Sequence, residues 1–243
     1  MKNSNKGLLA ALLLLLGSLL AFNVALHAEY ARGAYKNPLL NSKALKFSNF
    51  TEVEVLAAGS MKVQVVAGPY GVRVDNKAAE FVRISQQGPR LTVALVFPKE
   101  RQYLGNGNVV TISCPKLNRL TTGTTYLVAG KPTSDVGGRG SGVRVQGFRQ
   151  DSLELRQDRA SFIELANNQL RFLRADVGRA PGSRPELQLG PDNRIQAADL
   201  TIGHQGRLGL ATAIQHLRQQ VSDSATVTFS GAAAHGLGAR GAE

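Results

Sequence analysis

The amino-acid sequence predicts an all-β, solenoid-like body behind a single N-terminal apolar helix. Three observations carry that expectation. Gly7–Leu26 (GLLAALLLLLGSLLAFNVAL) holds no charge over about 20 residues, a length that crosses a bilayer's hydrocarbon core as a helix. From Phe47 onward the chain breaks into short runs with period-2 alternation. Beyond Val143, apolar pairs recur at steps that group into coils of about 20 residues.

The apolar run comes first. Lys2 and Lys6 precede it, which favours a cytoplasmic N-terminus and an exported remainder. A buried core helix would leave one polar face, and none is present. A signal peptide needs a shorter apolar core and a small-x-small cleavage site. A cut after Ala28 places Leu26 at the −3 position, and a cut after Ala25 places Asn23 there. Residues 1–28 therefore read as a signal anchor or signal peptide, with the uncleaved anchor favoured. No Cys near the end of the run could accept a lipid. Residues 29–46 lack a period, contain Gly33 and Pro38, and read as a tether.

Strand signals begin at Phe47, where Phe50, Val53 and Val55 alternate with Glu52 and Glu54. Met61–Gly68, Gly71–Asp75, Phe81–Gly88, Arg90–Pro98 and Val109–Ser113 follow as strands, with turns at Gly68-Pro69, Gly88-Pro89 and Gly105–Asn108. Residues 131–142 (KPTSDVGGRGSG) read as a flexible loop. Beyond it the apolar sets are Leu153/Leu155, Ile163/Leu165, Leu173/Ala175/Val177, Leu187/Leu189, Ile195/Ala197, Leu200/Ile202, Leu208/Leu210, Leu217/Val221 and Val227/Phe229. Asn167-Asn168, Pro181-Gly182, Asp192-Asn193 and Gln205-Gly206 separate several of them. Such spacing fits short strands stacked coil on coil. A hairpin sandwich is the rival, but no Asn-Gly or Asp-Gly turn occurs beyond Val143. Ile163, Ala166, Leu170 and Leu173 would also share one helical face, which makes Phe162–Leu173 locally ambiguous. The β domain spans 47–231, and the small, Gly-rich residues 232–243 read as a flexible tail.

The net charge is +12, and no Lys follows Lys131. A basic surface beside a membrane suits anionic lipid, acidic polysaccharide or nucleic acid. Nucleic acid is not expected, because no basic cluster is interleaved with stacking aromatics. The lone Cys114 excludes an intrachain disulfide and reads as a small buried residue.

The pattern in FSNFTEVEVLAAGSMKVQVVAGPYGVRVD (Phe47–Asp75), RLTVALVF and VVTISCPKLNRL (Val109–Leu120) resembles the bacterial head GIN domain, an auto-transporter adhesin-like family of unknown function. The resemblance implies a right-handed β-helix-like fold over about residues 47–231 and no defined enzyme activity, in exported envelope proteins of bacteria such as Bacteroidetes. One departure is visible: only Ser230-Gly231 provides the Ser-Gly turn that the family's later coils repeat.

No catalytic, cofactor-binding or metal residues are expected. His27, His204, His216 and His235 lack metal-ligand spacing, and no GxSxG, HExxH or phosphate-cradling motif is present. Gly138–Gly142 (GRGSG) is a loop without strand-to-helix context. Asp151, Glu154, Asp158 and Glu164 are the carboxylates a glycosidase would draw on, and Arg174, Arg194 and Arg218 could align across coils. Asp151-Ser152-Leu153 and Asp223-Ser224-Ala225 match an Asp-Ser/Thr-aliphatic O-glycosylation sequence, so Ser152 and Ser224 are modification candidates; Asn49-Phe50-Thr51 has the N-linked form.

The expected protein is a non-enzymatic envelope protein, contacting the membrane through residues 7–26, with no cofactor. Its body would be periplasmic, or secreted to the outer surface if the leader is cut. Its partner would be a polysaccharide or an envelope protein. The rival functions are a polysaccharide-acting enzyme on a β-helix scaffold and a basic domain docking on anionic lipid or nucleic acid.

Overall fold

The computed structural model describes residues 3–33, 40–134, 141–159, 161–180 and 184–240. They form two compact units, Met1–Asn41 and Ser42–Glu243.

The first unit is the helix α1 (Asn3–Arg32). Its segment Lys6–Arg32 has a mean hydropathy of 2.4 in its most apolar window, long and apolar enough to cross a membrane. Two polar side chains interrupt the apolar run, and each bonds back to its own helix. Ser18 Oγ donates to Leu15 O at 2.9 Å, and Asn23 Nδ2 to Leu19 O at 3.1 Å. Such back-bonding lowers the cost of a hydroxyl or amide in an apolar medium. The helix continues through Glu29–Arg32, closed by a Glu29–Arg32 ion pair of 2.7 Å, so the first residues of the expected tether are helical.

The second unit is mostly β, in two sheets. The first sheet contains β1 (Ser42–Leu45), β3 (Lys62–Ala67), β4 (Gly71–Asp75), β7 (Val110–Cys114), β11 (Gly142–Gln146), β13 (Phe162–Ala166), β15 (Glu186–Leu189), β17 (Arg207–Leu210) and β19 (Thr226–Phe229), in spatial order β1-β4-β7-β3-β11-β13-β15-β17-β19. The second contains β2 (Glu52–Val55), β6 (Arg90–Phe97), β8 (Arg119–Thr122), β9 (Thr125–Val128), β10 (Lys131–Ser134), β12 (Arg149–Gln157), β14 (Gln169–Val177), β16 (Arg194–Ile202) and β18 (Ile214–Val221), in order β10-β9-β6-β2-β8-β12-β14-β16-β18. A further strand, β5 (Val82–Gln87), pairs with β6. β1 lies within the stretch expected as tether, pairing with β4 from Ser42 to Leu45.

From β11 onward the chain alternates between the sheets and returns one strand further along each time. Val143 pairs with Ile163, then Leu187, Leu208 and Val227 in parallel register, a step of about 20 residues each time. The second sheet runs in step: Leu155 pairs with Ala175, which pairs with Leu200.

A closed helical coil throughout is not what the sheets display. They are open and mixed, with antiparallel pairs β1–β4, β4–β7, β5–β6 and β9–β10. Two tight turns build the hairpins. Gly88 (φ 57°) followed by Pro89 connects β5 to β6, a position where Gly supplies the positive φ and Pro the negative one. Ala129 (φ 48°) and Gly130 (φ 77°) connect β9 to β10 in a turn with both central residues left-handed. The ends of the expected 131–142 loop are therefore strand; residues 135–140 lie outside the described residues, as does the turn at Pro181-Gly182. Phe162–Leu173 resolves into β13 and the start of β14, and is not a helix. Gly231–Arg240, expected as tail, forms a helix (α2) whose Ala233 joins the core at 6 % exposure.

Two inward rows are almost all Val and Leu: Val65, Val145, Leu165, Leu189 and Leu210 from the first sheet, and Val53, Leu120, Leu155, Ala175 and Leu200 from the second. The corner between the sheets holds a polar ladder. Asn168 Oδ1 accepts from Phe148 N–H at 3.0 Å, and Asn193 Oδ1 accepts from Asn168 N–H at 3.0 Å and Asn168 Nδ2 at 3.1 Å. Asn193 Nδ2 donates to Leu165 O at 2.7 Å, and Thr212 Oγ1 donates to Asn193 O at 2.7 Å. Asn168, Asn193 and Thr212 are all buried. Each amide thus satisfies backbone groups that a corner would otherwise leave unpaired. Asn193→Ala should lower unfolding free energy by about 1–3 kcal/mol, because the buried Asn168 N–H loses its acceptor and Leu165 C=O keeps only the bond from Gly190 N–H. Urea denaturation checks this, with the exposed Gln169→Ala expected within about 0.5 kcal/mol of the parent.

Candidate functional site

The outer face of the second sheet carries a regular charge pattern. In-register pairing places Arg90, Glu52, Arg119, Glu154, Arg174, Asp199 and Arg218 in one row across β6, β2, β8, β12, β14, β16 and β18. The row alternates in sign along its whole length. Neighbouring members sit about 4.8 Å apart at the backbone, the inter-strand spacing.

The row is paired at one end and unpaired at the other. Arg90 and Arg119 reach Glu52 at 3.5 and 3.3 Å, and Arg119 also reaches Glu154 Oε2 at 2.8 Å. Glu154 Oε1 is taken by Arg156, two residues along its own strand, at 2.7 Å. Both Glu154 oxygens are then engaged, one by Arg119 and one by Arg156, and neither by Arg174. Among the described residues, Arg174, Asp199 and Arg218 form no ion pair within 4 Å. Burial by itself would raise the Glu154 carboxyl, but hydrogen bonds from Arg119 and Arg156, aided by their charges, outweigh it and hold the group below its ordinary value.

The unpaired end coincides with a groove of about 500 Å³, lined in part by Phe172, Ala197, Asp199, His216 and Arg218. Its origin is local. β12, β14, β16 and β18 each kink where pairing is interrupted, at Asp151, Arg171, Gln196 and Gln215. Past the kink the next row is Ser152, Phe172, Ala197 and His216. Ala197, the smallest of the four, stands between two rings and leaves a hollow. Phe172 keeps 41 % of its surface exposed there, although large apolar side chains favour burial.

The sequence-derived candidates fall apart or together as follows. Arg174 and Arg218 do share a row, with Asp199 between them, whereas Arg194 pairs with Gln169 at the strand start. The four carboxylates do not converge. Glu154 is held by two arginines, Asp151 pairs with Arg171 at 3.4 Å at the kink, and Asp158 accepts from Arg159 and Ala180 N–H groups in a turn. Glu164 is on the other sheet, 3.8 Å from Arg144. Among the described residues no group of three or more His, Cys, Asp or Glu could hold a metal ion. His204 sits exposed at a turn with φ 25°. Ser152 is exposed at the head of the groove row; Ser224 is exposed and accepts from Gln205 N–H at 3.2 Å. Phe172, Asp199 and His216 were not legible as site residues. Only alignment at the coil step, from Phe172 to Ala197 to His216, would have brought them together.

No family model matches the chain, and no curated protein matches it. Among solved structures it is similar to a candidate adhesin from Bacteroides fragilis, at 9% identity over 79% of this chain and 93% of that one, with a TM-score of 0.49. A candidate adhesin from Parabacteroides distasonis is 13% identical over 77% of this chain and 80% of that one, with a TM-score of 0.43. A candidate lipid-binding protein from the same organism is 12% identical over 77% and 95%, with a TM-score of 0.27. At these levels the likenesses assign neither a family nor an activity, and the head GIN resemblance gains no family match.

Two outcomes follow for single residues. The folded-state value of Glu154 lies below its unfolded value near 4.5, so its contribution is complete above that pH and is lost as pH falls through the folded value. Glu154→Gln should therefore flatten the acid limb of Tm against pH by an amount worth less than about 1 kcal/mol, since both arginine partners are partly solvated. Cys114 is fully buried and burial pushes its thiol up to about 12. Maleimide at neutral pH should leave it unlabelled in the folded protein and label it fully in concentrated guanidinium.

Proposed function

We propose that the protein is a membrane-anchored envelope protein that binds a polymer through the outer face of its second sheet. α1 serves as an uncleaved anchor. The body, a β-solenoid over about residues 47–231, projects from the far side of the inner membrane. Ser152 and Ser224 are its sites for O-linked sugar.

One observation carries the binding reading: the charge row loses its internal partners where the Phe172–Ala197–His216 hollow opens. Ionic groups left unpaired beside an exposed aromatic are groups available to a ligand. The groove crosses strands on an open face, which suits an extended chain better than an enclosed small molecule. The enzyme alternative finds less support, since the candidate carboxylates lie on two sheets or are bound by arginines.

Two measurements test this. The native protein should remain in the membrane fraction after carbonate washing, with an intact mass that includes residues 1–28. A soluble form lacking them would overturn the anchor. On a broad panel of envelope and plant glycans, the detergent-solubilised full chain should bind at least one polymer and release no new reducing ends. Turnover by the unmodified protein would overturn the non-enzymatic reading.

A further inference from the structure

We propose that the groove is a site for an acidic saccharide, a uronic-acid-bearing segment of the polymer; this rests on the polymer-binding reading above. Two adjacent rows supply complementary chemistry. Phe172, Ala197 and His216 form the first, and Arg174, Asp199 and Arg218 the second, two residues further along the same strands. Phe172 presents a phenyl ring over an alanine-sized hollow. A pyranose ring has an apolar face of C–H groups, and it packs on such a ring while its rim stays polar. About 7 Å away along the strand, two residues of rise, the guanidinium row begins. A sugar carboxylate can there take a bidentate pair from Arg218, which lines the groove, with Arg174 in the same row beyond Asp199.

Charge selects the anion. Arg174 and Arg218 flank the single carboxylate of Asp199, and none of the three has an ion-pair partner among the described residues. The open end of the row is thus net positive. Asp199 and His216 are left to bond hydroxyls, which a plain polyanion lacks. The two arginines stand two strands apart, about 10 Å, a span on the scale of neighbouring sugar units. A lipid tail would need an enclosed apolar channel, and Phe172 is the only large apolar side chain exposed in the lining.

The test measures binding of the full chain in detergent micelles to polygalacturonate, a neutral β-glucan, polyglutamate and anionic phospholipid vesicles. Polygalacturonate should bind, with polyglutamate, the neutral glucan and vesicles much weaker. Ala197→Leu fills the hollow from an outward position and should weaken binding by about tenfold or more, as should Phe172→Ala and Arg218→Gln. Arg90→Gln, at the paired end of the row, should leave it unchanged. Should Ala197→Leu lower Tm, Arg218→Gln on the exposed last strand still decides. Equal binding of polyglutamate would overturn the saccharide assignment, as would polygalacturonate binding indifferent to all three groove substitutions. Neutral glucan bound in preference, and lost in Ala197→Leu, would overturn the acidic class and leave the polymer-binding reading standing. Binding to vesicles alone, or to nothing, would overturn both.

Discussion

In-register stacking of parallel strands is the constraint on which the rest of this protein depends. Once Val143 is fixed against Ile163, every later coil must present like positions at like places. A slip of one residue would turn Leu165 and Leu189 outward and Glu164 and Gln188 inward. Burying charged or amide groups without partners costs more than a few apolar contacts can return. The corner asparagines reinforce the same register from the polar side. Asn168 and Asn193 bond to each other and to backbone groups of the coil before, so a shifted coil would strand several buried donors and acceptors at once.

The same register turns the outer face into rows, and the rows give that face its chemistry. Opposite charges on adjacent strands attract, whereas like charges directly opposite repel. The sequence from Arg90 to Arg218 meets this requirement strand by strand. Arg156 takes the second Glu154 oxygen along the strand, and beyond it Arg174, Asp199 and Arg218 form no ion pair among the described residues. A structural ladder therefore ends in a set of charges directed at solvent, beside a hollow that one alanine creates. The paired and unpaired parts belong to one pattern, divided at Glu154, whose two oxygens are held by Arg119 and Arg156.

The kinks also break the period-2 pattern that marks a strand in the sequence. Leu170 and Leu173 both point inward, as do Ile195 and Ala198, because two successive residues face outward between them at the interruption. That spacing of three mimics a helical face, which is why Phe162–Leu173 reads ambiguously. It also moves Ala197 from the core, where its alternation with Ile195 places it, to the floor of the groove. The hairpin at Ala129-Gly130 is equally hard to read from the sequence. Its left-handed pair is built without the Asn or Asp that commonly marks such turns, so no local chemistry announces it.

What the sequence alone determined was local: the uncharged run that becomes α1, the positions of most strands, the burial of Cys114 and the lack of recognisable catalytic motifs. These depend on composition and period over a few residues, and no distant partner alters them. Tertiary structure decided which strands are neighbours, that the early strands add antiparallel pairs and hairpins, and that Phe172, Asp199 and Arg218 meet. Those residues are separated by whole coils in the chain, and only the register between strands, set by the burial of one face and the corner amides, brings them within reach of one another.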